Sequence, residues 1–204
     1  MSYRFRITFA TQRSLSFVSV LDLGRVWERS LRRAGVPLKY SQGFNPRPKL
    51  QFALPLPVGC AGAAEWLEVW LEEDWSPEDL AQALRGQTPE DLAVLAVEAL
   101  AADAPGVSEG LWAADYRVWL QSVPPEDVAA RCAALLVAES LPRVRGEKAY
   151  DLRPLILELA PCPEGVWMRL SARPGATGRP DEVIAALGFA DQVQRYVRER
   201  LVKA

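Results

Sequence analysis

The chain has 204 residues, half of them apolar, and a net charge of −2, enough to bury one large core or two small ones. It has no stretch of about 18 apolar residues, which excludes a membrane-spanning helix. It has no histidine at all, which excludes Ser-His-Asp and Cys-His catalytic arrangements and removes the commonest metal ligand and neutral-pH base.

The opening Tyr3-Arg4-Phe5-Arg6-Ile7-Thr8-Phe9 alternates with period two and predicts a half-buried strand, with Arg4 and Arg6 on one face. Such a start lacks the apolar core of a signal peptide, so the expected location is the cytoplasm. A helix is predicted over 20–34. Ser19 is its N-cap, Asp22 lies in the positive first turn, and Gly35 ends it. Val20, Leu23, Trp27, Leu31 and Ala34 line its apolar face. Residues 36–59 are rich in proline, which keeps the chain extended. Glu65–Glu72 alternates again, with Leu67, Val69 and Leu71 opposite Trp66, Glu68, Trp70 and Glu72. Glu68 and Glu72 are placed to pair with Arg4 and Arg6 if the two strands are neighbours. Because glutamates repel phosphate, this face is expected to be covered by protein. Ser76-Pro77-Glu78-Asp79 starts a second helix with cap, N1 proline and acidic first turn, and Leu92–Leu100 closes as a strand.

After an Ala/Asp/Pro/Gly linker at 102–110 the pattern repeats. Tyr116-Arg117-Val118-Trp119-Leu120 echoes the first strand, Pro124–Ser140 reads as a helix, Leu141–Leu159 as extended or mixed, and Val166–Leu170 as a strand. Arg179-Pro180-Asp181-Glu182 echoes Ser76-Pro77-Glu78-Asp79; the tail from 192 is open between strand and helix. The expected fold class is α+β, with two tandem ferredoxin-like (βαββαβ) halves spanning 1–104 and 111–204.

Charge is strongly segregated. Residues 1–60 carry ten Lys/Arg against Asp22 and Glu28, a net +8; residues 61–130 are net −13 and residues 131–204 net +3. Blocks of this kind speak of partners rather than of fold. Arg25, Arg29, Arg32 and Arg33 follow i, i+4, i+7, i+8 and fall opposite Leu23, Trp27 and Leu31. Either this is a solvated helix face or it is an anion surface. The missing acids favour the second, because arginine suits forked phosphate contacts. The following Lys39-Tyr40-Ser41-Gln42-Gly43-Phe44-Asn45-Pro46-Arg47-Pro48-Lys49 combines cations for phosphates, rings for stacking and amides for base edges, the mix RNA readers use. Lys148-Ala149-Tyr150-Asp151-Leu152-Arg153, with Arg143 and Arg145 before it, offers a second anion contact through Arg153, or else a local structural pair. The candidate RNA-binding residues are therefore Arg25, Arg29, Arg32, Arg33, Lys39, Tyr40, Gln42, Phe44, Asn45, Arg47, Lys49 and Arg153. No catalytic residue, cofactor or metal site is expected. Cys60, Cys132 and Cys162 lack metal-site spacing and read as reduced thiols, at least two of them in the interior.

Phe17-Val18-Ser19-Val20-Leu21-Asp22-Leu23, Glu28-Arg29-Ser30-Leu31-Arg32-Arg33-Ala34-Gly35, Tyr40-Ser41-Gln42-Gly43-Phe44-Asn45-Pro46-Arg47-Pro48-Lys49-Leu50 and Asp151-Leu152-Arg153-Pro154 resemble the bacterial radical SAM-linked protein family, over nearly the whole chain. The resemblance implies a partner of a radical SAM protein with a B12-binding-like region, working near RNA processing or ribosome maturation. Family members usually carry histidine where this chain has Val20 and Arg47, so a mechanism needing those imidazoles does not carry over. More distantly, the tandem layout and basic first helix are similar to the RAMP endoribonucleases that process CRISPR repeats. The expected function is a non-catalytic partner that binds RNA or a ribosomal component. The alternatives are a docking module for the radical SAM enzyme without RNA contact, and a metal-independent endoribonuclease using Tyr40 or Lys39 as base.

Overall fold

The protein is described by a computed structural model covering residues 2–204. It is an α+β protein with four α-helices among the described residues. The chain divides into two compact units, 1–109 and 110–204.

Unit 1 is built on β1 (Tyr3–Thr11), β2 (Leu50–Phe52), β3 (Cys60–Leu71) and β4 (Leu92–Leu100). The order across the sheet is β4-β1-β3-β2, and all three pairings are antiparallel. Helix α1 (Val20–Arg33) joins β1 to the extended segment, and α2 (Pro77–Leu84) joins β3 to β4. Ser19 Oγ accepts the Asp22 amide and Ser76 Oγ accepts that of Asp79, so both predicted caps are formed. Gly35 ends α1 at φ +69°, a conformation side chains with a Cβ seldom adopt. Phe5, Ile7 and Phe9 of β1 and Leu67, Val69 and Leu71 of β3 face Trp27 and Leu31 of α1 and Leu80 and Leu84 of α2 in one core. Phe9 meets Trp27 edge-to-face at 5.1 Å.

The opposite face of this sheet is polar and internally neutralised. Register sets Arg6 beside Glu68 and Arg4 beside Trp70. Glu68 is fully buried; it accepts Arg4 Nε at 2.8 Å and Arg6 Nη2 at 3.0 Å. Both guanidiniums also lie over indoles, Arg4 over Trp70 and Arg6 over Trp66. The expected pairing thus falls on Glu68 alone. Glu72 is exposed past the end of β3 and Arg6 turns its other nitrogen to Glu98.

Unit 2 contains β5 (Leu111–Leu120), α3 (Pro125–Val137), the hairpin β6 (Pro142–Arg145) and β7 (Lys148–Asp151), β8 (Ile156–Cys162), β9 (Gly165–Arg173), β10 (Ala176–Thr177), α4 (Pro180–Leu187) and β11 (Val193–Lys203). The order of the four long strands is β8-β9-β5-β11, again antiparallel throughout. The open segment after α3 resolves into the β6–β7 hairpin followed by β8, and the tail is a strand. Helix α3 ends at Val137, three residues short of the expected Ser140, with Ala138 already in extended backbone. Val128, Cys132 and Leu135 of α3 and Val183, Ile184 and Leu187 of α4 are buried. Among the described residues no helix is long and apolar enough to cross a membrane.

Candidate nucleic-acid interface

Helix α1 buries Leu23, Trp27, Ser30 and Leu31 and turns Arg25, Arg29, Arg32 and Arg33 outward. The four arginines are not equivalent. Arg25 pairs with Asp22 at 2.7 Å and Arg32 with Glu28 at 2.8 Å, both exposed intrahelical pairs of small strength that a phosphate can replace. Asp22 is held below the usual carboxylate range by its hydrogen bonds to Ser19 and Arg25. Arg33 donates to the Gln87 carbonyl at 2.5 Å and so ties α1 to the turn after α2. Arg29 has no side-chain partner among the described residues.

The segment after α1 forms a narrow arch. Leu38 bridges to Leu71 and Tyr40 to Pro48. The Lys39 amide donates to the Trp70 carbonyl at 2.7 Å, and the Trp70 amide to the Lys49 carbonyl at 3.3 Å. The Ser41 amide donates to the Arg47 carbonyl, and the Arg47 amide returns a bond to Ser41 Oγ. Gly43 turns the tip at φ +132°. Gln42, Phe44, Asn45 and Arg47 project at that tip, all exposed, with Phe44 fully so. Lys39 and Arg47 have no side-chain partner among the described residues. Lys49 lies 4.3 Å over the Trp70 ring.

Helix and arch meet through Arg32 and Tyr40. Arg32 Nε donates to Tyr40 Oη at 3.2 Å, and the guanidinium lies 5.7 Å over the phenol ring. Tyr40 is therefore half-buried and engaged, and Phe44 is the free ring. Arg153 lies in unit 2, where it donates to the Leu136 and Ile156 carbonyls, while Asp151 caps the Leu141 and Arg153 amides. Sequence reasoning missed the apolar extension of the stripe: Leu21 and Phe17 are both exposed, and Leu21 stands at i−4 from Arg25, a spacing readable from sequence. Among the described residues no cluster of His, Cys, Asp and Glu is suited to a metal ion.

The fold and this surface define an α+β protein with one basic helix and arch. The chain belongs to the family described as "Uncharacterized protein conserved in bacteria (DUF2344)", whose model matches residues 4–180. No curated protein matches it. Among solved structures it is similar to an unknown protein from Galdieria sulphuraria at 14% identity, over 100% of this chain and 99% of that one, with a TM-score of 0.29.

Proposed function

We propose that this protein binds single-stranded or locally unpaired RNA through α1 and the 39–49 arch, as a non-catalytic partner in RNA modification, RNA processing or ribosome maturation. The observation carrying this reading is three unpaired cations, Arg29, Lys39 and Arg47, accompanied by a fully exposed phenylalanine on a pinned arch. Cations take phosphates and a bare ring takes an unstacked base. The radical SAM protein as the enzyme served rests on the sequence resemblance. The strand orders β4-β1-β3-β2 and β8-β9-β5-β11 support reading the two units as tandem ferredoxin-like halves.

Six cations (Arg25, Arg29, Arg32, Lys39, Arg47 and Lys49) acting on single-stranded RNA give a slope of log K against log salt of about −4. Fluorescence anisotropy on a short unstructured RNA between low and moderate salt measures it, and a flat dependence rejects the proposal. A second reading, a protein-docking face, draws on exposed Phe17 and Leu21 at the head of the stripe. Retained copurification of a partner protein in an Arg25→Glu, Arg29→Glu variant, with no RNA in the complex, would favour it.

A further inference from the structure

In unit 2 the β6–β7 hairpin occupies the same place in chain order as the 39–49 arch of unit 1. Each lies between the first helix of its unit and the next sheet strand. Each also pins an arginine on a tyrosine. Arg145 Nη2 donates to Tyr150 Oη at 3.1 Å and its guanidinium lies 4.9 Å over the ring, as Arg32 does with Tyr40. What differs is a cavity. Beside the hairpin a pocket of about 210 Å³ is lined by Arg145, Lys148, Tyr150, Leu155, Ala176 and Thr177, with Asp151 on its wall. That volume is below the usual range for a whole drug-sized ligand and suits a single small group.

The charges around this cavity have defined duties. Glu182 takes Arg145 Nε at 3.2 Å and Nη2 at 2.8 Å, and also accepts the Tyr150 hydroxyl. Asp151 is engaged by the Leu141 and Arg153 amides. Thr177 donates to the Arg173 carbonyl. Arg145 Nη1 and the Lys148 ammonium have no partner among the described residues. Arg179 acts on Glu182 and Arg153 on Asp151 at longer range. The two cations lining the cavity, Arg145 and Lys148, therefore keep two donors for an incoming anion, while the hydrogen-bonding capacity of Asp151 is taken by backbone amides. A guanidinium nitrogen and an ammonium in the lining of a pocket this small suit a compact, multiply charged oxyanion rather than a whole nucleoside.

We infer that the β6–β7 cavity is a binding site for a terminal phosphate dianion, either a free phosphate monoester or the 5′ end of an RNA. Lys148 and Arg145 Nη1 hold the oxygens, and the Leu155 and Ala176 wall receives the carbon next to the ester oxygen. The site does not depend on α1.

The test uses the full chain and three probes: inorganic phosphate, AMP, and a hexanucleotide with either a 5′-phosphate or a 5′-hydroxyl. Amide NMR shifts at Gly146, Lys148 and Thr177 on adding phosphate or AMP are expected, and they persist in the Arg25→Glu, Arg29→Glu variant. The 5′-phosphorylated hexamer should bind at least about tenfold tighter than its hydroxyl form, since a single charge-assisted hydrogen bond already gives about that factor. Lys148→Glu, at an exposed position, should erase that difference and the shifts while leaving the hydroxyl form's affinity unchanged. Shifts without an end preference assign the site to free monoesters; shifts with one assign it to RNA ends. Neither shifts nor preference overturns the inference, even where the α1 surface binds RNA. Loss of hexamer binding with the phosphate shifts intact rejects the RNA reading of unit 1 and spares this site.

Discussion

The two units share a strand order and differ in charge. In unit 1 a buried carboxylate, Glu68, sits between Arg4 and Arg6. In unit 2 a buried carboxylate on the first strand, Asp115, holds Arg169 and Arg200 from the third and last strands. The acid stands on the third strand in unit 1 and on the first in unit 2, and in each unit the arginines stand on neighbouring strands. The first helices diverge more. Helix α1 carries four outward arginines, whereas α3 has only Arg131, which is turned onto the Leu187 carbonyl. The same strand order therefore accommodates opposite placements of the buried acid, whereas a stripe of outward arginines is found on α1 and not on α3. Backbone pairing sets where side chains are displayed, and the residue choice at those places sets what they meet.

The largest expected effect tests the buried networks. Glu68→Ala leaves two largely buried guanidiniums without their carboxylate and should cost about 3–5 kcal/mol. Hydrogen exchange by mass spectrometry should show the loss concentrated in unit 1. Asp115→Asn should cost less, about 2 kcal/mol, because Arg200 is largely exposed and water screens it. Both in one unit would show the networks are not separate.

The same comparison has a pH form. Burial pushes the Asp115 carboxyl up, but its hydrogen bonds to Arg169 and Arg200 more than offset this and hold it below the usual range. A depressed folded value means the stabilisation is present above the unfolded value of about 3.9 and is lost as pH falls through the folded one. Thermal midpoints should therefore drop below about pH 4, with a shallower drop in Asp115→Asn. An unchanged slope in that variant would assign acid sensitivity elsewhere.

Next in size is the surface of unit 1. Replacing Arg29 and Arg47 by alanine removes two unpaired cations and should reduce the salt slope by about 1.4, or affinity about tenfold near physiological salt. The fold should be unaffected, since neither side chain has a partner. Arg153→Ala is the contrast in unit 2: it loses carbonyl contacts and should lower stability, not RNA affinity. The smallest effect is Ser19→Ala, about 1 kcal/mol from the lost cap, read by denaturant unfolding.

Much of this layout was legible because it is local. Ser19, Gly35 and the Ser76-Pro77 start mark helix ends through short-range backbone chemistry, and the alternation of 65–72 set the two faces of β3 correctly. The echo at Pro180 corresponds to α4. Features set by distant partners were not legible. Arg33 looked like its neighbours in the stripe, and only the approach of Gln87, far along the chain, gives it a structural duty. The Arg32 contact to Tyr40 across the turn after α1 is likewise not readable from the pattern. Composition leaves Arg153 open between an anion contact and a local structural role, and its bonds to the Leu136 and Ile156 carbonyls come only with the fold. Pairing of both β1 arginines to Glu68 follows from register, which a periodic pattern does not specify. The tail was ambiguous because β11 buries Arg198 fully, and a buried charge blurs the alternation that marks a strand.

The arch of unit 1 is stitched to Trp70 at both feet, through Lys39 and Lys49. The RNA proposed as its ligand would meet a surface that is already set, with little chain ordering left to oppose binding. Encounter then becomes a matter of field and diffusion: the association rate should follow ionic strength closely and viscosity next, and dissociation should carry the differences between one sequence and another.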